Sequence, residues 1–193
     1  MKLIITRHGE TEENKAGILQ GHLPGKLSVT GINQAKKVAI RLKDEKIDFI
    51  FSSDLARASD TAKEIANFHS DVPIEFVKDL REENFGEFQG EKRSDFDWDT
   101  KDYVQAKNVE TMEELFNRAE SFFHKVILKH NNDTILFVGH NGINKALIAV
   151  ITGKRSKDIL DMENQHNTSV SIFEINKAED YKILYFNCAK HLG

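Results

Sequence analysis

Two short apolar runs, Leu3-Ile4-Ile5 and Ile135-Leu136-Phe137-Val138, each lead into a histidine among turn residues: Thr6-Arg7-His8-Gly9-Glu10 and Gly139-His140-Asn141-Gly142. Uninterrupted apolar runs of this length predict strands buried on both faces of a largely parallel sheet. Such sheets bind ligands beyond the carboxyl ends of their strands. Both histidines fall at such an end.

The rest of the pattern alternates strands with helices. Residues 7 to 29 hold four glycines and one proline without periodicity, which predicts a loop over the sheet edge. Thr30 then caps a helix whose Ile32, Ala35, Val38, Ala39 and Leu42 share one face. Ile47 to Phe51 reads as a second buried strand. Ser52-Ser53-Asp54 offers capping oxygens for a helix over about 55 to 69, which buries Ala58, Ala62, Ile65 and Phe68 and carries Arg57 in its first turn. Val72 to Val77 follows as a strand. Thr111-Met112-Glu113-Glu114 has capping-box spacing, and Met112, Leu115, Ala119, Phe122 and Val126 mark a long amphipathic helix leading to the strand over 134 to 138. A helix over 142 to 152 and strands over 168 to 175 and 181 to 187 complete the chain, the last pair antiparallel at an edge. The pattern predicts a single-domain α/β fold: a doubly wound, mostly parallel sheet flanked by helices, with a small cap segment near 91 to 110.

Composition narrows the function classes. With 39% hydrophobic and 30% charged residues over 193 positions, the chain is too apolar for disorder, and no apolar run approaches a membrane span. Only three apolar residues stand between Lys2 and Thr6, too few for a secretory signal, and the lone Cys188 precludes an intrachain disulfide or a cysteine-based zinc cage. A cytoplasmic location is the expectation. The net charge of −4, with lysines and arginines dispersed, gives no electrostatic support for nucleic-acid or anionic-membrane partners. An anionic ligand must therefore be held by a few local cations. Oligomeric state is not written in the pattern.

Several motifs are absent or fail. There is no phosphate-binding Gly-x-x-x-x-Gly-Lys-Ser/Thr loop and no His-Glu-x-x-His pair. The alternating acids of Asp95-Phe96-Asp97-Trp98-Asp99 lack the glycine and glutamate of a calcium loop, since the sixth and twelfth positions are Thr100 and Ala106. A solvated cap carrying Phe96, Trp98 and Tyr103 toward a pocket is the expectation there.

Arg7-His8-Gly9-Glu10-Thr11 through Asn14 resembles the signature of the histidine phosphatase superfamily, the phosphoglycerate mutase-like fold. The resemblance continues in order through Leu27-Ser28-Val29-Thr30-Gly31 with Gln34-Ala35, Ser52-Ser53-Asp54-Leu55-Ala56-Arg57-Ala58, Leu80-Arg81-Glu82, Phe85-Gly86-Glu87-Phe88-Gln89-Gly90, Glu110-Thr111 and Val138-Gly139-His140. Singly, each arginine could form a surface ion pair and each histidine a satisfied polar contact. The ordered set favours catalysis. The resemblance implies His8 as phosphoryl acceptor, Arg7, Asn14, Arg57 and His140 around the phosphate, and no cofactor. Phosphoryl transfer needs that inventory: an in-line nucleophile, compensation of charge on three equatorial oxygens, and a proton for the departing alkoxide.

For the acid, the family pattern selects Glu82, with Glu83 adjacent and not excluded by spacing. His8 must stay neutral on its attacking nitrogen, with the other ring nitrogen donating to a backbone carbonyl. Two departures stand out: Glu13 replaces an aromatic residue common before Asn14, and Asn141 places an amide after His140 that can contact phosphate or leaving group. Selectivity is expected from residues 15 to 27, including Gln20 and Gly21, from Lys92 and Arg93 in the cap, and from the tail. At that tail His191-Leu192 resembles a family ending that reaches the pocket, although a frayed end is the simpler reading. The function implied is a metal-independent phosphomonoesterase acting on a small phosphorylated metabolite. A phosphoglycerate mutase, a catalytically idle phospho-ligand binding protein and a zinc hydrolase built on His8 and His140 are the alternatives.

Overall fold

The computed structural model of the chain describes residues 1–95, 107–177 and 180–193. Among these, strands β1 (Lys2–Arg7), β2 (Phe49–Ser53), β3 (Ile74–Val77), β4 (Thr134–Gly139), β5 (Val170–Lys177) and β6 (Asp180–Cys188) form one sheet in the order β3-β2-β4-β1-β5-β6. The first four pair in parallel, whereas β5 runs antiparallel to both β1 and β6. The helices are α1 (Glu12–Ala16), α2 (Val29–Leu42), α3 (Ala56–Ala66), α4 (Met112–Lys129) and α5 (Asn141–Ile151).

Strand periodicity divides the core. Ile4, Ile50, Leu136 and Val138 pack under α2 and α3 with Val38, Leu42, Ala58 and Ile65. Leu3, Ile5, Phe51, Ile135 and Phe137 face the opposite side, against Leu115, Phe122, Phe123 and Leu147 of α4 and α5. Each such side chain taken fully from water contributes roughly 1.5 to 3 kcal/mol before conformational entropy is charged against it. The central strands can carry continuous apolar runs because both of their faces are covered.

The strands and long helices agree with the hydrophobic pattern, while several boundaries move. The first long helix is capped by Ser28, whose Oγ accepts from the Gly31 amide at 3.0 Å, and Thr30 lies inside it. Ile32 sits on the rim of its apolar face, 41% exposed. Ser52 and Ser53 complete β2 and are buried, yet Ser53 Oγ still accepts from the Leu55 amide at 3.2 Å. The next helix stops at Ala66, which leaves Phe68 beyond its last turn and exposed. The stretch read as a loop contains α1, closed by a reciprocal cap between Thr11 and Asn14. Thr111 and Glu114 form the expected capping box of α4.

No helix among the described residues is long and apolar enough to cross a membrane. The Phe96, Trp98 and Tyr103 part of the cap lies outside the described residues.

Candidate active site

Sheet register builds the centre of the site. Arg7 pairs with Gly139 across the parallel β1–β4 ladder, so His8 and His140 leave neighbouring strands at the same level. The His8 amide donates to the Gly139 carbonyl at 3.0 Å, and the two imidazole centroids are 5.0 Å apart. Behind His8 the chain lies backbone against backbone on the start of α2. A Cβ on Gly9 would stand 2.4 Å from the Gly31 carbonyl oxygen, and one on Gly31 would stand 1.9 Å from that of Glu10. Both positions need glycine for this approach.

His8 is 2% exposed, and its Nδ1 donates to the Gly9 carbonyl at 2.6 Å. That bond fixes the neutral tautomer in which Nε2 carries the lone pair. Burial holds the His8 pKa well below the ordinary imidazole range, with Arg57 and Arg7 adding to the effect.

Arg57, from the first turn of α3, is wholly buried. Its Nη2 and Nη1 donate to the carbonyls of Gly21 and Leu23 at 2.8 and 2.9 Å, and its Nε donates to Nδ1 of His140 at 3.2 Å. Burial lowers its pKa to about 10, so it remains a cation at neutral pH. Because His140 Nδ1 accepts, the His140 proton resides on Nε2, a buried atom with no hydrogen-bond partner. Arg7 donates through Nη1 to the Gln165 carbonyl at 2.7 Å and leaves its buried Nε unpartnered. Unpaired buried donors are costly, and their concentration beside His8 marks a place shaped for an anion.

Arg7, His8 and Arg57 border a cavity of about 310 Å³ lined also by Asn14, Gln20, Gly21, Glu82, Arg93 and Asn141, among others. His140 is fully buried and lies outside that lining. The Asn14 side-chain Oδ1 accepts from the Thr11 amide, so the cap fixes the orientation of that side chain. Glu82 is separated from Glu83 by geometry. Glu82 enters the cavity, with Oε1 accepting from the amides of Glu83, Gly142 and Ile143 at 3.0, 2.8 and 3.3 Å. Glu83 is buried beside it and lines only the adjoining cavity.

Other predicted residues divide. Arg93 lines the cavity, whereas Lys92 is exposed, and its backbone bridges to Ile18. Asn141 spends its amide on the 164–165 segment: its Nδ2 donates to Asn164 and its Oδ1 accepts from the Gln165 amide. It therefore clamps the cavity wall. Gln20 is likewise committed through Nε2 to Thr11 Oγ1 at 2.9 Å. The tail is neither frayed nor in the pocket. Residues Lys190–Leu192 form a 3-10 turn against α2, where Lys37 donates to the Leu192 carbonyl.

Two residues that position Glu82 carry no sequence motif. The guanidinium of Arg118 gathers the carbonyls of Asp79, Arg81 and Glu82 and pairs doubly with Glu110. His22 donates from Nε2 to the Glu82 carbonyl at 2.9 Å.

Comparison with known proteins accords with this arrangement. The model of the histidine phosphatase superfamily (branch 1) matches residues 3–188. The chain belongs to that superfamily. As a branch 1 histidine phosphatase it is 30% identical to phosphoglycerate mutase-like protein 4 of Arabidopsis thaliana, over 99% of this chain and 86% of that protein. It is 32% identical to the metal-independent phosphoserine phosphatase of the same plant, over 78% and 68% respectively. A phosphoserine phosphatase from Entamoeba histolytica, solved in complex with 3-phosphoglyceric acid, superposes with a TM-score of 0.85 at 26% identity, covering 99% of this chain and 98% of that one. The superfamily and its named phosphatases make this chain an enzyme of the histidine phosphatase and phosphoglycerate mutase family.

Proposed function

We propose that this histidine phosphatase hydrolyses small phosphomonoesters through a phosphohistidine on His8, with Glu82 as general acid and base. The observation that carries the reading is a neutral His8, its Nδ1 committed to Gly9, beside two unpartnered buried donors, Arg7 Nε and His140 Nε2. Together with the Arg57 cation these groups can match a phosphoryl whose charge lies on its equatorial oxygens.

In the first step the lone pair of His8 Nε2 forms a bond to phosphorus, the ester P–O bond breaks, and its electron pair goes to the leaving oxygen, which takes a proton from Glu82. In the second, water gives a proton to the Glu82 carboxylate and attacks phosphorus. The P–N bond breaks and its electron pair returns to Nε2. Neither step calls for a metal, and the named Arabidopsis relative is metal-independent.

Steady-state turnover of para-nitrophenyl phosphate by wild type, His8→Ala, Glu82→Gln and Glu83→Gln tests the reading. Loss of turnover in H8A and at least a tenfold drop in E82Q with E83Q little changed is expected, along with activity that survives a chelator. Turnover that persists in H8A overturns it. Isomerisation of 3-phosphoglycerate with little phosphate release would identify a mutase instead.

A further inference from the structure

The cleft continues past the phosphate pocket into a second cavity of about 530 Å³ that shares Glu82, Phe85, Arg93, Asn141 and Asn164 with it. If Glu82 protonates the leaving oxygen, the rest of the substrate extends from Glu82 into this space. Much of its wall is apolar, formed by Met112, Leu115, Ile159, Leu160 and Met162.

Its charged lining residues are Glu82, Glu83, Arg93 and Lys145. Lys145 lines the cavity from α5, one turn beyond Asn141 on the same helix face and about 6 Å farther along the axis. It is 7% exposed, and its ammonium makes no hydrogen bond or ion pair among the described residues. Its neighbours on α5, including Ile143, Ala146, Leu147 and Ile148, are buried and apolar. Burial lowers the Lys145 pKa, and Glu83 offsets part of that effect. A buried cation with no direct hydrogen-bonded partner costs free energy that an anionic ligand in contact with it would recover in part.

The surroundings restrict that ligand. Glu82 and Glu83 line the same cavity as Arg93 and Lys145, and Asp161 also acts on Lys145, so the two cations are balanced by carboxylates and a second phosphate dianion would find no net positive charge there. A single carboxylate on a short carbon chain matches Lys145 with half the charge and correspondingly weaker repulsion. We propose that Lys145 is a specificity-determining contact for a carboxylate on the leaving group, so that the preferred substrates are phosphomonoesters of short hydroxy acids. This rests on the phosphomonoesterase reading.

The test compares kcat/KM for matched pairs that differ in the carboxylate: O-phosphoserine against O-phosphoethanolamine, and 3-phosphoglycerate against glycerol 3-phosphate. Wild type should favour the carboxylated member of each pair by about tenfold or more. In Lys145→Met the ratio should collapse toward one, and Lys145→Arg should retain part of it. Because each variant is judged by a ratio between two substrates, a general loss of active protein cancels. A wild-type ratio near one, or a preference that survives K145M, overturns the proposal. Release of para-nitrophenol that depends on His8, alongside such a result, would leave the phosphatase reading standing. Absence of that release would remove both.

Discussion

The Nε–H of Arg57 donates to Nδ1 of His140, and that one bond decides which imidazole nitrogen of His140 carries the proton. A neutral ring whose Nδ1 accepts must hold its hydrogen on Nε2, the atom left without a protein partner. Arg57 thus supplies charge to the site and orients a second donor at the same time.

Arg57→Lys should separate those contributions. A lysine keeps the charge but cannot reach Gly21, Leu23 and His140 together, because it lacks the planar fork. We expect kcat/KM on an aryl phosphate to fall by about 100-fold, comparable to loss of one preorganised transition-state donor. A fall of less than about threefold would show that orientation of His140 is unimportant.

Gly142→Ala probes the placement of Glu82. The added Cβ would stand 2.6 Å from Glu82 Oε1, the movable end of a side chain, so the carboxylate shifts while the helix stays. Alanine is a better helix former than glycine by up to about 1 kcal/mol, so the melting temperature should hold or rise. Turnover should nonetheless drop by about tenfold or more, as expected for a displaced proton donor. Equal losses of stability and activity would argue against this account.

Arg118→Ala should uncouple the Glu82 segment from α4. The substitution removes three carbonyl contacts and leaves the Glu110 carboxylate unpaired, at a cost of about 2 to 4 kcal/mol in denaturant unfolding. Arg118→Lys should recover the charge and only part of kcat, because it cannot serve all of those acceptors.

Stability should fall on mild acidification. His8 and His140 both have folded-state pKa values well below 6.5, so the unfolded chain takes up protons there before the native state does. Their contribution is fully present above about pH 6.5 and is lost as pH falls below it, by up to roughly 1.4 kcal/mol per pH unit for each ring. Urea unfolding in phosphate-free buffer between pH 7 and 5.5 would show this slope, and the double variant His8→Ala, His140→Ala should flatten it. An unaltered slope in the double variant would mean that other groups carry the effect.

How much could be read from the chain depended on whether the signal was local. The buried strands ending at His8 and His140, the N-terminal cap of α4 and the succession of strands and long helices along the chain all follow from periodicity and short motifs. Helix α1 escaped because five residues are too few to express a period. Strand β5 carries adjacent apolar residues because both of its faces are covered, Val170 and Ile172 in one core layer and Phe173 and Ile175 in the other. The roles of Arg118, His22 and Lys145 were invisible because each depends on a fold partner far away in sequence, such as Asp79, Glu82 or Met112. Asn141 was legible as a departure but not as a clamp, since Asn164 and Gln165 are more than twenty residues away in sequence and meet it only in the fold.

The Arg7–Gly139 register also ties chemistry to correct assembly. Side chains alternate along a strand, so a slip of one residue between β1 and β4 would turn Ile4 and Leu136 out of their common layer and separate His8 from His140 in the same movement. No near-miss alignment of these strands could keep a working pair of histidines. Recovered turnover after refolding would therefore report strand alignment directly, with the enzyme acting as its own proofreader of topology.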